Sequence, residues 1–295
     1  MTRQKRAELL LILVASFWGI SYYLADICLE DMAPMTLNAF RFLSAFLVLS
    51  PIFHYNLLHL NRVTFKYALL IGLALTATYV LYGYGLTRTS LSNAAFICAL
   101  PVLTTPVMGL LLYKKRPEHK FWLCLVLCVI GLALLTLDEK MKPASGDLIC
   151  LCVPIFYSMD LLLTEQAVQR PDVDPLGMGV LELGVVGVIT LAMSFLWETP
   201  HLPTTPTIWC AALVLGLLCS GAAFVIQSVE QKYTSANHVG LIFTLEPVVA
   251  SIAAFFLAHE VLRPRCYIGM GLMLLSLLLM ELGHEQKDTK RAAEN

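Results

Sequence analysis

The sequence predicts an all-α integral membrane protein of ten transmembrane helices, built as two inverted five-helix repeats with both termini cytoplasmic. Composition, the placement of basic residues and an internal repeat carry that expectation. Of the 295 residues, 58% are hydrophobic and 14% charged, and the mean hydropathy is +0.74. Soluble globular chains run at about 45–50% apolar and about 25% charged. These values argue against an ordinary soluble enzyme, a disordered chain and a nucleic-acid binder. A net charge of −1 and a pI near 6.6 leave no excess of one sign to steer an acidic or basic partner.

A span needs roughly 20 apolar residues, and charged, proline and Asn/Ser clusters divide the chain into ten such segments. Ala7–Ala25 follows the basic Arg3, Lys5 and Arg6 and stops at Asp26 and Glu30. It has no small-residue cleavage site and reads as a retained helix rather than a signal peptide. Met35–Tyr55 lies between Pro34 and the break at Asn61 and Arg62. Phe65–Thr87 runs from that break to Arg88, and Leu91–Tyr113 ends at Lys114, Lys115 and Arg116. Lys120–Leu137 precedes Asp138–Ser145, the most polar interior stretch, which divides repeat 1–140 from repeat 141–295. In the second half, Gly146–Ala167 stops before Arg170 and Pro171, and Leu176–Trp197 before Glu198. Thr207–Gln231 stops at Lys232, and Ala236–His259 at Glu260. Cys266–Leu282 closes the set.

Lys and Arg in short loops set orientation, because cytoplasmic loops carry the excess. With the N-terminus inside, fourteen of the twenty fall in inner segments and five in outer ones, with Arg41 inside a span. The one awkward loop is Val261–Arg265, which places two arginines outside.

The halves repeat each other. RTSLSNAAFICALPV (Arg88–Val102) matches YTSANHVGLIFTLEPV (Tyr233–Val248), and the flanking alignments pair Tyr82 with Gln227 and Arg41 with Glu182. Five helices is an odd number, so the second copy crosses in the opposite sense. Inverted repeats of this kind are a common plan of secondary transporters, with the substrate site near the midplane where the repeats meet.

The motifs ASFWGISYYLA, NAFRFLSAFLVL and TSLSNAAFICALPVLTTPVMGLLLYKK in the first half resemble the EamA-type half of the drug/metabolite transporter superfamily. GDLICLCVPIFYSMDLLLTE, TLEPVVASIAAFFLAHEVL and IGMGLMLLSLLLME resemble the same half again. The resemblance covers almost the whole chain and implies a ten-helix exporter of small metabolites, often amino acids, with some relatives handling toxic organic cations. One departure is local. Such repeats often close their fourth and ninth helices with Gly-Glu; here the second copy has His259-Glu260 and the first Tyr113-Lys114-Lys115.

Ionisable residues at depth are functional candidates by default, since each costs about 2.5–3.5 kcal/mol to insert. Glu246 lies about nine residues, or roughly 14 Å, into its helix, near the middle of the membrane. Pro247 follows it, removes a backbone donor and clashes with the carbonyl of Phe243. Pro101 does the same in the first copy, with Leu100 in the glutamate's slot. A kinked helix with a free carbonyl beside a carboxylate suits a ligand site; the alternative is a Glu246 that only fixes helix packing. Asp160 and Glu182 sit in the inner half and with Glu246 form a candidate proton or cation site. The other reading of that set is separate satisfaction, with Lys232 or Arg170 reaching Glu182. Arg41 pairs with Asp26 or Glu30, or meets a substrate carboxylate.

Aromatic residues complete the candidate cavity. Trp18 and Tyr22, and likewise Tyr79 and Tyr82, share helix faces by their spacing. They form walls with polar tips that suit amino-acid side chains or organic cations. Gln227 joins them as the symmetry mate of Tyr82. The bland reading of each ring is core packing, or an interfacial belt for Tyr23 and Tyr84.

Other chemistry is poorly supported. HEVLR at His259 lacks the second histidine of HExxH, and neither GxSxG nor a phosphate-binding loop occurs. No enzyme activity, cofactor, metal or ATPase subunit is expected; a channel and an unrecognised membrane enzyme are the alternatives from other classes. Of nine cysteines, seven lie in apolar runs as small hydrophobes, while Cys28 and Cys266, near span ends, read as accessible thiols. The expected partners are a small-molecule substrate, lipid and a coupling proton. The chain is expected to act as a monomer or weak dimer in a bacterial inner membrane.

Overall fold

A computed structural model of the protein describes residues 3–86, 88, 97–114, 119–136, 145–257, 264–276 and 278–279. The polar linker (138–144), most of the loop carrying Arg263, and His259-Glu260 lie outside the described residues. In chain order the helices are α1 (Arg3–Leu29), α2 (Pro34–Ile52), α3 (Arg62–Gly85), α4 (Pro101–Tyr113), α5 (Lys120–Leu134), α6 (Ser145–Val168), α7 (Pro175–Trp197), α8 (Pro206–Tyr233), α9 (Ala236–Leu257) and α10 (264–276). Seven of them, all but α4, α5 and α10, are long and apolar enough to cross a membrane. The chain is a multi-pass membrane protein, and no strand occurs among the described residues. The segment expected over Met35–Tyr55 is helical to Ile52, followed by the one-turn helix His54–Leu58.

Two ends of the bundle are defined by polar contacts. At one end Asn56 Nδ2 donates to Asp174 Oδ2 at 2.8 Å, Gln169 Nε2 to the Lys232 carbonyl at 3.1 Å, and Arg6 lies 3.8 Å from Glu230. At this end the Arg170 guanidinium hydrogen-bonds Asp172 and holds its carboxyl below the ordinary carboxylate range. At the other end Asp31 accepts from Thr204. Successive long helices therefore alternate in direction, and α1 and α6, first in their repeats, run oppositely.

Helix pairings come in mates. α1 packs on α8 and α9, and α6 packs on α3 and α4; α2 packs on α8, and α7 on α3; α2 and α7 pack on each other. Exchanging the two halves maps this pattern onto itself. α5 and α10 form a matching pair, in which a Cβ on Gly131 would stand 2.7 Å from the Gly269 carbonyl and Ser276 Oγ donates to the Cys124 carbonyl at 2.7 Å. All nine cysteines are free. Cys28 and Cys266, expected to be free and accessible thiols, are free but buried.

Each helix start must satisfy up to four unpaired N–H groups. Asp174, Thr205 and Ser235 cap α7, α8 and α9 with their own side chains. Ala33, at the start of α2, cannot. Glu198, at the far end of α7, does it instead: its carboxylate accepts from the Met35 and Thr36 amides at 2.9 and 2.8 Å and from the Thr36 hydroxyl at 2.8 Å. A carboxylate here also meets the positive end of the helix dipole. Losing a cap costs about 0.5–2 kcal/mol. Glu198→Ala is therefore expected to lower the thermal midpoint of the purified protein, with Glu198→Gln intermediate; an unchanged midpoint in the alanine variant would contradict the capping role.

Candidate functional site

The site is assembled at an irregularity in α8. Residues Leu217–Ala222 form a π turn between two α-helical segments. Such turns break the regular ladder and are frequent at functional sites. Here the turn receives two side chains from the first repeat. Trp18 Nε1 of α1 donates to the Cys219 carbonyl at 2.8 Å, and Arg41 Nε of α2 donates to Ser220 Oγ at 2.7 Å. Ser220 in turn donates to the Leu215 carbonyl, five residues back, at 3.1 Å. Gly216 permits the approach: a Cβ there would lie 2.4 Å from Ser44 Oγ and 2.9 Å from the Arg41 carbonyl.

Between the helices so fixed lies a cavity of about 100 Å³. α1 contributes Trp18, Ser21 and Tyr22; α2, Arg41; and α3, Thr78, Tyr79 and Tyr82. Cys98 precedes α4, Tyr157 comes from α6, Phe224 from α8 and Glu246 from α9. Both repeats thus build its wall. A water needs roughly 10–15 Å³ on this measure, and an engineered apolar cavity of about 150 Å³ admits benzene. The space suits a small metabolite or several waters.

The walls are aromatic and interlocked. Trp18 meets Phe243 edge-on at 4.7 Å between centroids and Phe224 at 5.0 Å, and Phe42 meets Tyr79 at 4.8 Å. Tyr22 and Tyr82 stand edge to face at 6.4 Å. Edge-to-face pairs of this kind add about 0.5–1.5 kcal/mol each beyond burial, which makes a stiff cavity.

Glu246 is placed by a helix break. α9 is interrupted at Thr244 and Leu245, and its second segment opens with Glu246 and Pro247. α4 likewise begins at Pro101 after a turn at Ala99 and Leu100. The proline breaks of the two copies therefore flank the cavity together, and a smaller void of about 10 Å³ between Cys98, Pro101, Phe243 and Glu246 lies beside it.

The remaining carboxylates lie elsewhere. Asp160 and Glu182 are buried neighbours, each engaged by a successive residue of α8: Gln227 Nε2 donates to Asp160 Oδ2 and Ser228 Oγ to Glu182 Oε1, both at 3.2 Å. Glu182 Oε2 and Gln227 Oε1 have no hydrogen-bond partner among the described residues.

Trp18, Tyr22, Tyr79, Tyr82 and Glu246 thus line one cavity. Gln227, expected beside Tyr82, does not, because its amide is engaged by the buried Asp160. Asp160 and Glu182 come together, but Glu246 is not among their partners, so the three expected acids are not one cluster. Neither Lys232 nor Arg170 reaches Glu182; Arg170 pairs with Asp172. Arg41 pairs with neither Asp26 nor Glu30. It turns to Ser220 and lines the cavity. Sequence reasoning missed Tyr157, Cys98 and Ser220. Cys98 lies in the repeated motif two residues before the Leu100 that matches Glu246, which was the available signal.

Apolar helices of both signs of direction, packed around a shared cavity, define an α-helical membrane bundle. The comparisons make this specific. The EamA-like transporter family matches residues 5–137 and again 144–282, and the chain belongs to that family. It is 25% identical over 276 residues to an uncharacterized transporter of Archaeoglobus fulgidus, covering 94% of this chain and 86% of that one. It is 22% identical to the uncharacterized transporter YwfM of Bacillus subtilis, covering 97% of each. A crystal structure at 16% identity superimposes with a TM-score of 0.79 over 93% of this chain and 97% of that one, a likeness of fold.

Overpacking a helix contact costs about 1–3 kcal/mol. Gly216→Ala is expected to destabilise the protein by that amount, whereas Gly271→Ala, with nothing within 4 Å of its Cβ, is expected to be neutral or slightly stabilising. Equal thermal midpoints for the two variants would refute the close approach of α8 to α2.

Proposed function

We propose that the protein is a secondary-active exporter of small metabolites, amino acids or related compounds. It works by alternating access around the cavity between its repeats. In this reading the chain crosses the plasma membrane ten times with both termini cytoplasmic, functions as a monomer or weak dimer, and needs no ATPase subunit, cofactor or metal. The observation that carries it is the cavity walled by α1, α2, α3, α6, α8 and α9, from both repeats. Paired proline breaks at Pro101 and Pro247 beside that cavity are natural points for the halves to rock. Asp160 and Glu182, held by α8 outside the cavity, carry the coupling proton.

A second reading, a proton-coupled exporter of organic cations, draws on Glu246 among Trp18, Tyr22 and Tyr82. Aromatic faces and a carboxylate together attract such cations. Under either reading catalysis is absent and flux is saturable.

The test is flux in liposomes containing the purified protein. Saturable, stereoselective exchange of amino acids supports the metabolite carrier, flux of aromatic cations alone the second reading, and a non-saturating ion current neither. Glu246→Gln is expected to reduce exchange at least tenfold without loss of folded protein. Asp160→Asn is expected to retain exchange while losing accumulation driven by a pH gradient. Normal gradient-driven accumulation in that variant would remove Asp160 from the coupling step.

A further inference from the structure

Among the described residues the cavity holds one cationic side chain, Arg41, and its surroundings are unusual. Arg41 is only 5% exposed. Buried arginines are ordinarily matched by a carboxylate, because an unpaired buried charge is costly. Arg41 makes no ion pair among the described residues. Its Nε is engaged by Ser220 Oγ, and the guanidinium carbon lies 4.9 Å from the Tyr79 ring centre and 5.2 Å from that of Phe42. The head group is thus held at Nε and lies over two aromatic rings. Its Nη2, however, has no hydrogen-bond partner among the described residues. Buried polar groups left in that state are rare and call for a reason.

We propose that Arg41 is the anion receptor of the cavity and that the ligand is a zwitterion, its carboxylate on the free edge of Arg41 and its ammonium on Glu246. The assignment rests on the reading of this cavity as the transport site. Three features narrow the ligand. A planar guanidinium with a free edge matches a carboxylate. Among the described residues the cavity has one cationic side chain, Arg41, and one carboxylate, Glu246, so a dianion sets one of its charges against Glu246 and a simple cation leaves Arg41 unmatched. The two charges come from different repeats, α2 and α9, so one ligand with both charges bridges the halves. Ser220 is a positioning residue, acting on the ligand through Arg41.

The test uses the full chain in detergent and in liposomes, with matched sets of probes. Each set is an L-amino acid, the amine left by removing its carboxylate, and the acid left by removing its ammonium, for alanine, leucine and phenylalanine. Dissociation constants come from competition in thermal-shift titrations. In at least one set the amino acid is expected to bind ten times more tightly than its amine and its acid. In Arg41→Gln the amino acid is expected to weaken to the level of the amine, while the amine changes less than twofold. Arg41→Lys, which keeps the charge but not the fork, recovers part of the loss, and Ser220→Ala loses a few-fold. If no amino acid outbinds its own amine in the unmodified protein, the proposal is wrong, whatever the variants do. Counterflow in liposomes separates this from the carrier reading. Preferential binding without counterflow sinks the carrier and leaves the receptor; counterflow of amine and amino acid with equal affinity does the reverse.

Discussion

In a bilayer, a backbone carbonyl set free from its helical ladder has no water to turn to, and at the π turn of α8 side chains of α1 and of α8 itself supply the donors. Trp18 meets the Cys219 carbonyl, and Ser220 joins Arg41 to the Leu215 carbonyl. These contacts place α1 and α2 of the first repeat on α8 of the second. They also set the two side chains that shape one side of the cavity. At Gly216, one residue before the turn, a Cβ would lie 2.9 Å from the Arg41 carbonyl of α2.

Symmetry explains the rest of the frame. The contacts of α1, α2, α3 and α4 with the second half recur for α6, α7, α8 and α9 with the first. The two halves differ in the polar groups they bring to equivalent positions. The second carries Glu246 where the first has Leu100, and Glu182 where the first has Arg41. A shared scaffold thus holds an asymmetric site. In the proposed cycle, the scaffold supplies two related arrangements and the unmatched charges supply the ligand's grip.

Much of this was legible in the sequence. Apolar segments and their breaks located the seven helices long and apolar enough to span, because spans obey a length and hydropathy rule that needs no tertiary information. Pro101 and Pro247 marked the breaks beside the cavity, since a missing N–H acts locally. Trp18, Tyr22, Tyr79 and Tyr82 followed from helix spacing. Three features did not follow. The partner of Arg41 was sought among acids by charge, but it is a serine exposed by a π turn, and no residue pattern announces that turn. Gln227 was placed by symmetry with Tyr82, and symmetry ignores the acid that competes for its amide. The Glu198 cap joins residues about 160 positions apart in the chain, beyond the reach of any local signal.

The central claim is that the cavity between the repeats receives a ligand from water. Cys98 lines that cavity, which makes it a natural reporter. The most direct measurement is the rate at which a small methanethiosulfonate modifies Cys98 in liposomes, in a chain whose other cysteines are replaced by serine. Modification is predicted to proceed and to slow several-fold in the presence of a transported amino acid, but not of its non-transported enantiomer. A rate indifferent to a saturating, transported ligand would place the transport path elsewhere in the molecule.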